Sequence, residues 1–436
     1  MGVLKAAAGT TDLAPYSGGW MTGYAARAVP SSGLHDPLTA RAVLLDDGAE
    51  RLAIISCDLL GLAPESVERI RKRIEKKTGI PAGQIMICCT HTHSGPASMW
   101  MRGHMGFVHK PWLRALQNRL IRLVAQLPAR LEPARLACGS TTVTGIGFNR
   151  QDRSRPIDEE LTALALERSD GSAIAVLINY ATHAVVLGPR NLEYSGDFPG
   201  AAARRLDELT GGIGLYLQGA CGDVDPVTQL ERGWGQGTFE DCEAIGSRLA
   251  EAALDALRDA PRTPEVTLRA ASRVVDVPLD PAPSLDELDR LIARFRADRK
   301  AAIAGAVRDT AGEMTANTML VWARKLRRHI RLQNVPTTLS AEVFAARIND
   351  VRIIGLPFET YTDIGLRIKQ GLEPIDAVVV GYANGLYGYC PTTWAKDQGG
   401  YGADASCRWF DALLTPIGRG ADDVLVGAAV ELARTL

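Results

Sequence analysis

Two of the seven histidines in this 436-residue chain stand two positions apart, at the end of the apolar run "IMICCTHTHSGP". In a strand, alternate side chains point to one side, so His91 and His93 could face a common site. The Ser94-Gly95-Pro96 turn that follows places them at the strand's end, where α/β sites lie. The pair reads either as half of a metal site or as polar residues on a strand edge. His183 closes a second apolar run, "AIAVLINYATH", as a third ligand or as a hydrogen-bonded core histidine. Asp197, in "EYSGDFPG", is a carboxylate that could orient a ligand histidine, or the N-cap of a helix before Pro199.

Two further stretches carry candidate groups. In "QGACGDVDP", Gly219 and Gly222 permit a tight path that brings Asp223 and Asp225 to a strand end. No Gly-Lys-Ser/Thr follows, so this is not a phosphate loop. In "IIGLPFETYTDIG", Glu359 lies just past a strand at an expected helix start, where the helix dipole alone would favour it. The Gly-rich "YANGLYGYCPTTWAKDQGGYG" sets Tyr387, Tyr389 and Tyr401 in one loop, as a site wall or as packing residues.

Elements must hold these groups in place. "ARAVLLDDGAERLAIISCDLLGL" reads as a hairpin turning at Asp46-Asp47-Gly48. "PESVERIRKRIEKKTG" reads as a helix with Pro64 in its first turn, Val67, Ile70 and Ile74 on one face, and Gly79 at its end. The run into His91 then completes a strand–helix–strand order. Later segments repeat this alternation of apolar strands and amphipathic helices. Helices are expected over 284–303, N-capped by Ser284, and from about Asn317 to Leu332, with a hairpin at Asn349-Asp350. No internal repeat or low-complexity tract is visible. The fold class is α/β: central mixed sheets flanked by helices, one catalytic domain over 1–436, with two sheet-rich halves meeting at the site.

Composition excludes several classes. Hydrophobic residues make up 46%, charged residues 23%, and the net charge is −1, so nothing points to a nucleic-acid partner. No apolar run reaches the roughly 18 residues of a membrane span. The start lacks the apolar core of a signal peptide. None of the eight cysteines forms a CxxC pair, and Cys57, Cys88 and Cys89 sit in apolar runs. They read as buried thiols of a reducing compartment, and a cytoplasmic location is expected. "RKLRRHIR", Arg324 to Arg331, reads as the solvated face of a helix with Trp322, Leu326 and Ile330 inward. The alternative is a patch that meets anionic lipid head groups.

Taken in order, "MTGYAAR", "ARAVLLDDG", "CTHTHSGP", "GFNR", "NYATHAVV" with "SGDFPG", "QGACGDVDP", "LPFETYTDIG" and "YANGLYGYCPTT" resemble the neutral/alkaline (non-lysosomal) ceramidase family, from about Thr10 to Ser406. The resemblance implies a zinc amidase with His91, His183, Glu359 and Tyr389 as Zn²⁺ ligands. It implies His93 as general acid/base, and Arg150 and Tyr401 around the scissile amide, where they would stabilise an oxyanion. Asp223 is placed with this catalytic group, and Asp197 and Asp225 behind it or against substrate. The implied substrate is a ceramide-like or smaller N-acyl compound, attacked by a metal-activated water. An esterase, a cyclic-amide hydrolase and a non-catalytic metal-binding protein of the same fold are the alternatives. The chain departs from the family's pattern at Asp225, where a serine is common, and at Phe358, where glycine is common. The family's C-terminal immunoglobulin-like domain and secretion signal are expected to be absent.

Overall fold

The computed structural model describes residues 2–13 and 15–436 and shows one strand arrangement built three times. In the first unit, β1 (Lys5–Asp12), β2 (Thr39–Asp46) and β3 (Arg51–Cys57) form an antiparallel meander. Helix α1 (Pro64–Thr78) crosses over, β4 (Ile85–Cys89) pairs parallel with β3, and α2 (Lys110–Gln126) follows. The short β5 (Glu132–Pro133) extends the far edge beside β1.

The second unit repeats this with β6 (Arg135–Thr142), β7 (Glu160–Glu167) and β8 (Ala173–Tyr180). Helix α3 (Asp197–Thr210) leads to β9 (Ile213–Gln218), parallel to β8, and α4 (Phe239–Leu257) follows. The third unit has β10 (Leu268–Pro278), with the helices α5 (Leu285–Ala304) and α6 (Thr310–Arg331) inserted as a hairpin before β11 (Thr338–Ile348). Then come β12 (Val351–Gly355), the crossover helix α7 (Thr362–Leu372), β13 (Asp376–Val380) parallel to β12, and α8 (Ala421–Arg434).

Local chemistry explains the elements. Pro64 starts α1, Val67, Ile70 and Ile74 bury one face, and Gly79 ends it with φ 73°. Ser284 and Glu287 form a capping box on α5. Asn349, at φ 53°, makes the two-residue turn between β11 and β12. One core is shared by all three sheets. Leu45 and Ile54 of the first, Leu164 and Leu177 of the second, and Phe344 and Val378 of the third meet there. The opposite faces lie under helices, as where Ile178 packs with Leu206 and Leu249. Each such side chain contributes roughly 1.5–3 kcal/mol on burial, so packing between layers, rather than local propensity, holds the units in place.

The expected class, mixed sheets flanked by helices, is what the structure shows. Its organisation differs from the expectation of two sheet-rich halves and no repeat. There are three equivalent four-strand frames, and what repeats is pairing order and crossover rather than residue identity. The chain leaves each parallel pair at its carboxyl end, and those ends converge.

Candidate metal centre

Each unit sends groups to one point. His91 and His93 follow β4, His183 follows β8, and Glu359 follows β12. His91 Nε2 lies 3.2 Å from Glu359 Oε2 and 3.2 Å from His93 Nε2, and His183 Nε2 lies 3.6 Å from the same Glu359 oxygen. All four residues are buried, and the ring nitrogens of the three histidines gather within 4.8 Å of one another. The Nδ1 of His91 donates to the Leu60 carbonyl at 2.7 Å and that of His183 to the Cys221 carbonyl at 3.2 Å. Their Nε2 atoms therefore present lone pairs. Glu359 Oε2 and His183 Nε2 have no hydrogen-bond partner. His183 Nε2 and Glu359 Oε2 are buried acceptors facing one another without a donor, which a cation would resolve, so these residues fit a metal ion.

The histidines do not converge by strand alternation, as the spacing alone suggested. Strand β4 ends at Cys89, and His91 itself takes a left-handed backbone with φ 61°. That conformation is sparsely populated by a non-glycine residue. The Tyr382 ring stacks on the imidazole at 4.0 Å and holds it there. His93 differs from the other two. It lines an open cavity, its Nδ1 has no partner, and burial, then His91, push its pKa well below the usual value. The segment "MTGYAAR" cradles it. A Cβ on Gly23 would come within 2.5 Å of the His93 ring, and the Tyr24 ring meets it edge-on at 4.9 Å.

Buried Arg27 completes that cradle. It donates to the carbonyls of His93 (2.8 Å), Asn191 (3.1 Å) and Thr22 (3.2 Å), with Gly188 at 3.4 Å. No carboxylate pairs with it among the described residues, and burial lowers its pKa to about 10. Nothing in the residue types singled out Arg27, Tyr24 or the cavity residue Trp234. The available signal was an arginine among small and apolar residues with no acid nearby.

The cavity has a volume of about 410 Å³. Arg150, Asp225, Tyr389 and Tyr401 line it beside His93, with Trp234 and Trp409 among its apolar walls. Tyr389 is the register partner of Glu359 in a short parallel pair, which sets it next to the centre. Arg150 donates to Tyr389 Oη at 3.1 Å, to the Gly222 carbonyl at 2.7 Å and to Asp225 at 3.1 Å. Asp225 therefore faces the cavity as the partner of Arg150, not as an isolated negative charge. Tyr401 sits at the mouth, half-exposed, with its ring 5.8 Å from that of Tyr389.

Three sequence readings change. Asp223 does not line the cavity. Its oxygens accept from Thr362 N (2.7 Å) and Asn149 Nδ2 (2.9 Å), so it ties the Arg150 segment to the start of α7. Asp197 does not orient a histidine. It accepts from the backbone of Leu187 and Phe198, and backbone carbonyls orient His91 and His183 instead. Glu359 lies in the two-residue strand Glu359–Thr360 ahead of α7 rather than in a helical turn, so the helix dipole does not account for it.

Comparison with known proteins bears on the fold and on the N-terminal half of the sequence. The sequence model of the family described as neutral/alkaline non-lysosomal ceramidase, N-terminal, matches residues 7–215. A crystal structure of neutral ceramidase from Pseudomonas aeruginosa superposes on the whole chain with TM-score 0.73, at 19% identity and over 75% of that chain. The N-terminal half of the chain is similar to the neutral/alkaline ceramidase family, and the whole chain shares the fold of the solved ceramidase. Among curated proteins, the Pseudomonas aeruginosa neutral ceramidase is 25% identical over 52% of this chain and 38% of its own length. The Drosophila melanogaster neutral ceramidase is 24% identical over 63% of this chain and 47% of its own length. The chain thus spans less than half the length of these curated relatives.

Burial pushes the Asp197 carboxyl up to about 6. Its folded value lies above the unfolded value of about 3.9, so folding takes up a proton between the two. The contribution to stability is complete below about pH 4 and is lost as pH rises through about 6. Asp197→Asn is expected to remove a slope of about 1.4 kcal/mol per pH unit in that window. Urea unfolding of both proteins across the window measures this. Parallel curves for the two would contradict the assignment.

Proposed function

We propose that this chain hydrolyses an amide (N-acyl) bond at a zinc centre held by His91, His183, Glu359 and Tyr389. The observation that carries the reading is the cluster of two imidazole Nε2 atoms and a carboxylate behind His93 and Tyr389, which line a cavity with a guanidinium and three phenols. Nitrogen and oxygen donors of this kind suit Zn²⁺. Bound there, zinc would supply Lewis acidity and a nucleophilic water near neutral pH.

The chain's own groups do the rest. His93, uncharged and facing the cavity, accepts a proton and returns it to the departing amine. Arg150 and Tyr401 line the same space and donate to the acyl oxygen as charge develops on it. Asp225 and Gly222 hold the guanidinium in that position. The resemblance to ceramidases makes a ceramide-like lipid the first substrate class. The cavity volume of about 410 Å³ favours a short-chain or small N-acyl compound as a closer fit, with long chains extending out of it.

The test uses an amide and an ester with the same acyl and leaving groups, on purified protein of known metal content. Amide turnover is expected to vanish on chelation and return with zinc. His93→Ala is expected to retain the metal and lose on the order of 10²–10⁴ in turnover. Wild-type protein that holds zinc and turns over the ester alone would replace amidase by esterase. Protein that holds zinc and turns over neither would end the enzymatic reading.

A further inference from the structure

The three units differ most in the connection between their first and second strands. In the first unit, residues 13–38 supply the cradle of His93. In the second, residues 143–159 carry Arg150. In the third, the corresponding connection is the α5–α6 hairpin, an insertion that the strand frame does not need. Its inner face is fastened near the cavity. Arg408 stacks over Trp322 at 5.0 Å and over Phe295 at 5.9 Å, and the next residue, Trp409, lines the cavity.

Its outer face is of another kind. Arg296, Arg299, Lys300 and Arg324 surround a groove floored by Ile303 and Leu320, and no carboxylate lines it. None of these four cations makes an ion pair among the described residues. Some of the hairpin's other charges do, as in Arg327 with Asp289, Lys325 with Asp411 and Arg308 with Glu313, whereas Arg290, Arg328 and Arg331 on the same helices likewise have no ion pair among the described residues. At and near the tip, Val307 is 86% exposed and Ile303 44%, and Val321, midway along α6, is 53% exposed. Solitary exposed valines need no explanation, but here they stand beside four uncompensated cations in a chain whose net charge is −1. Much of the basic run noted in the sequence is the solvated helix face expected of it, with Trp322 and Leu326 buried. Only Arg324 of that run belongs to the groove.

We propose that the α5–α6 hairpin is a docking element for a lipid bilayer bearing anionic head groups, with the four cations meeting phosphate and the apolar tip entering the interface. Charge complementarity selects the anionic surface, and the exposed Val307 and Ile303 at the tip select a bilayer over a soluble polyanion. The inference does not depend on which bond the metal centre cleaves.

Flotation with vesicles of phosphatidylcholine, alone or with phosphatidylglycerol, tests it on the full chain. Wild type is expected to bind the mixed vesicles at least about tenfold more tightly than the neutral ones, and to release them at high salt. Neutralising the four cations together (Arg296→Gln, Arg299→Gln, Lys300→Gln, Arg324→Gln) should lower binding on the order of a hundredfold. Val307→Asp should weaken it without touching the groove. Unchanged thermal melting of both variants would show that the loss is not unfolding. Equal binding to both vesicle types, or undiminished binding by the charge variant, overturns the proposal. So does charge-dependent binding of duplex nucleic acid without binding to vesicles.

Discussion

Glu359→Gln is expected to empty the centre of divalent metal while leaving the fold intact. The two imidazoles that face Glu359 have already committed their Nδ1 protons to the carbonyls of Leu60 and Cys221. Three buried acceptors are then held together only if a cation lies among them. A glutamine removes the negative charge and brings an N–H₂ that can donate to an imidazole, so the cluster is satisfied without metal. Elemental analysis should find wild type near one metal per chain and the variant at background. Amide turnover should fall by more than the roughly 100-fold typical of losing a supporting residue behind a ligand. Stability should move the other way. A chelator should lower the melting temperature of wild type and leave that of the variant unmoved, since bound metal at a thousandfold its Kd stabilises by about 4 kcal/mol. A variant that keeps metal at wild-type stoichiometry would show that Glu359 is not part of the centre.

Arg27→Met is the second large effect, and it acts on stability first. The guanidinium gathers the carbonyls of Thr22, His93 and Asn191, with Gly188 at the limit, and no carboxylate shares the work. Methionine fills part of the volume and leaves buried carbonyls unpaired. The expected cost is about 3–5 kcal/mol in urea unfolding. Because one of those carbonyls belongs to His93, the ring should drift from its place. A misplacement of about 1 Å costs on the order of 10² in rate. Metal content should stay at the wild-type level, which separates this role from that of Glu359. Arg27→Lys keeps the charge without the planar fork and should fall between the two. Wild-type turnover and stability in Arg27→Met would remove Arg27 from the account of the site.

Much of this was legible in the sequence, and what was not has definite physical causes. Helix α1 was readable because Pro64, the spacing of Val67, Ile70 and Ile74, and Gly79 all agree on one structure. The hairpin at Asn349-Asp350 was readable because few turns suit those residues. The meeting of His91, His183 and Glu359 is set by tertiary contacts, so spacing could nominate them but not bring them together. Strand alternation suggested the right partners for His91 by the wrong route, since the real device is a left-handed backbone residue beyond the strand's end. The threefold frame was hidden because it is written in pairing order, which apolar patterning of many different residues can satisfy. Asp197 and Asp223 looked like site carboxylates because residue type cannot reveal which donors surround an oxygen. Here backbone N–H groups do, joined for Asp223 by the Asn149 side chain.

The threefold frame has a consequence for how the chain reaches its working state. Of the proposed ligands, its first unit holds His91, its second His183 and its third Glu359 and Tyr389, so the set is complete only when all three meet. On the proposed metal binding, affinity would therefore arise only once all three have docked, across loops that span most of the chain. An ion captured there would act as a latch on that final assembly, and free metal in the surroundings would then set how long the assembled form persists against opening of any one unit.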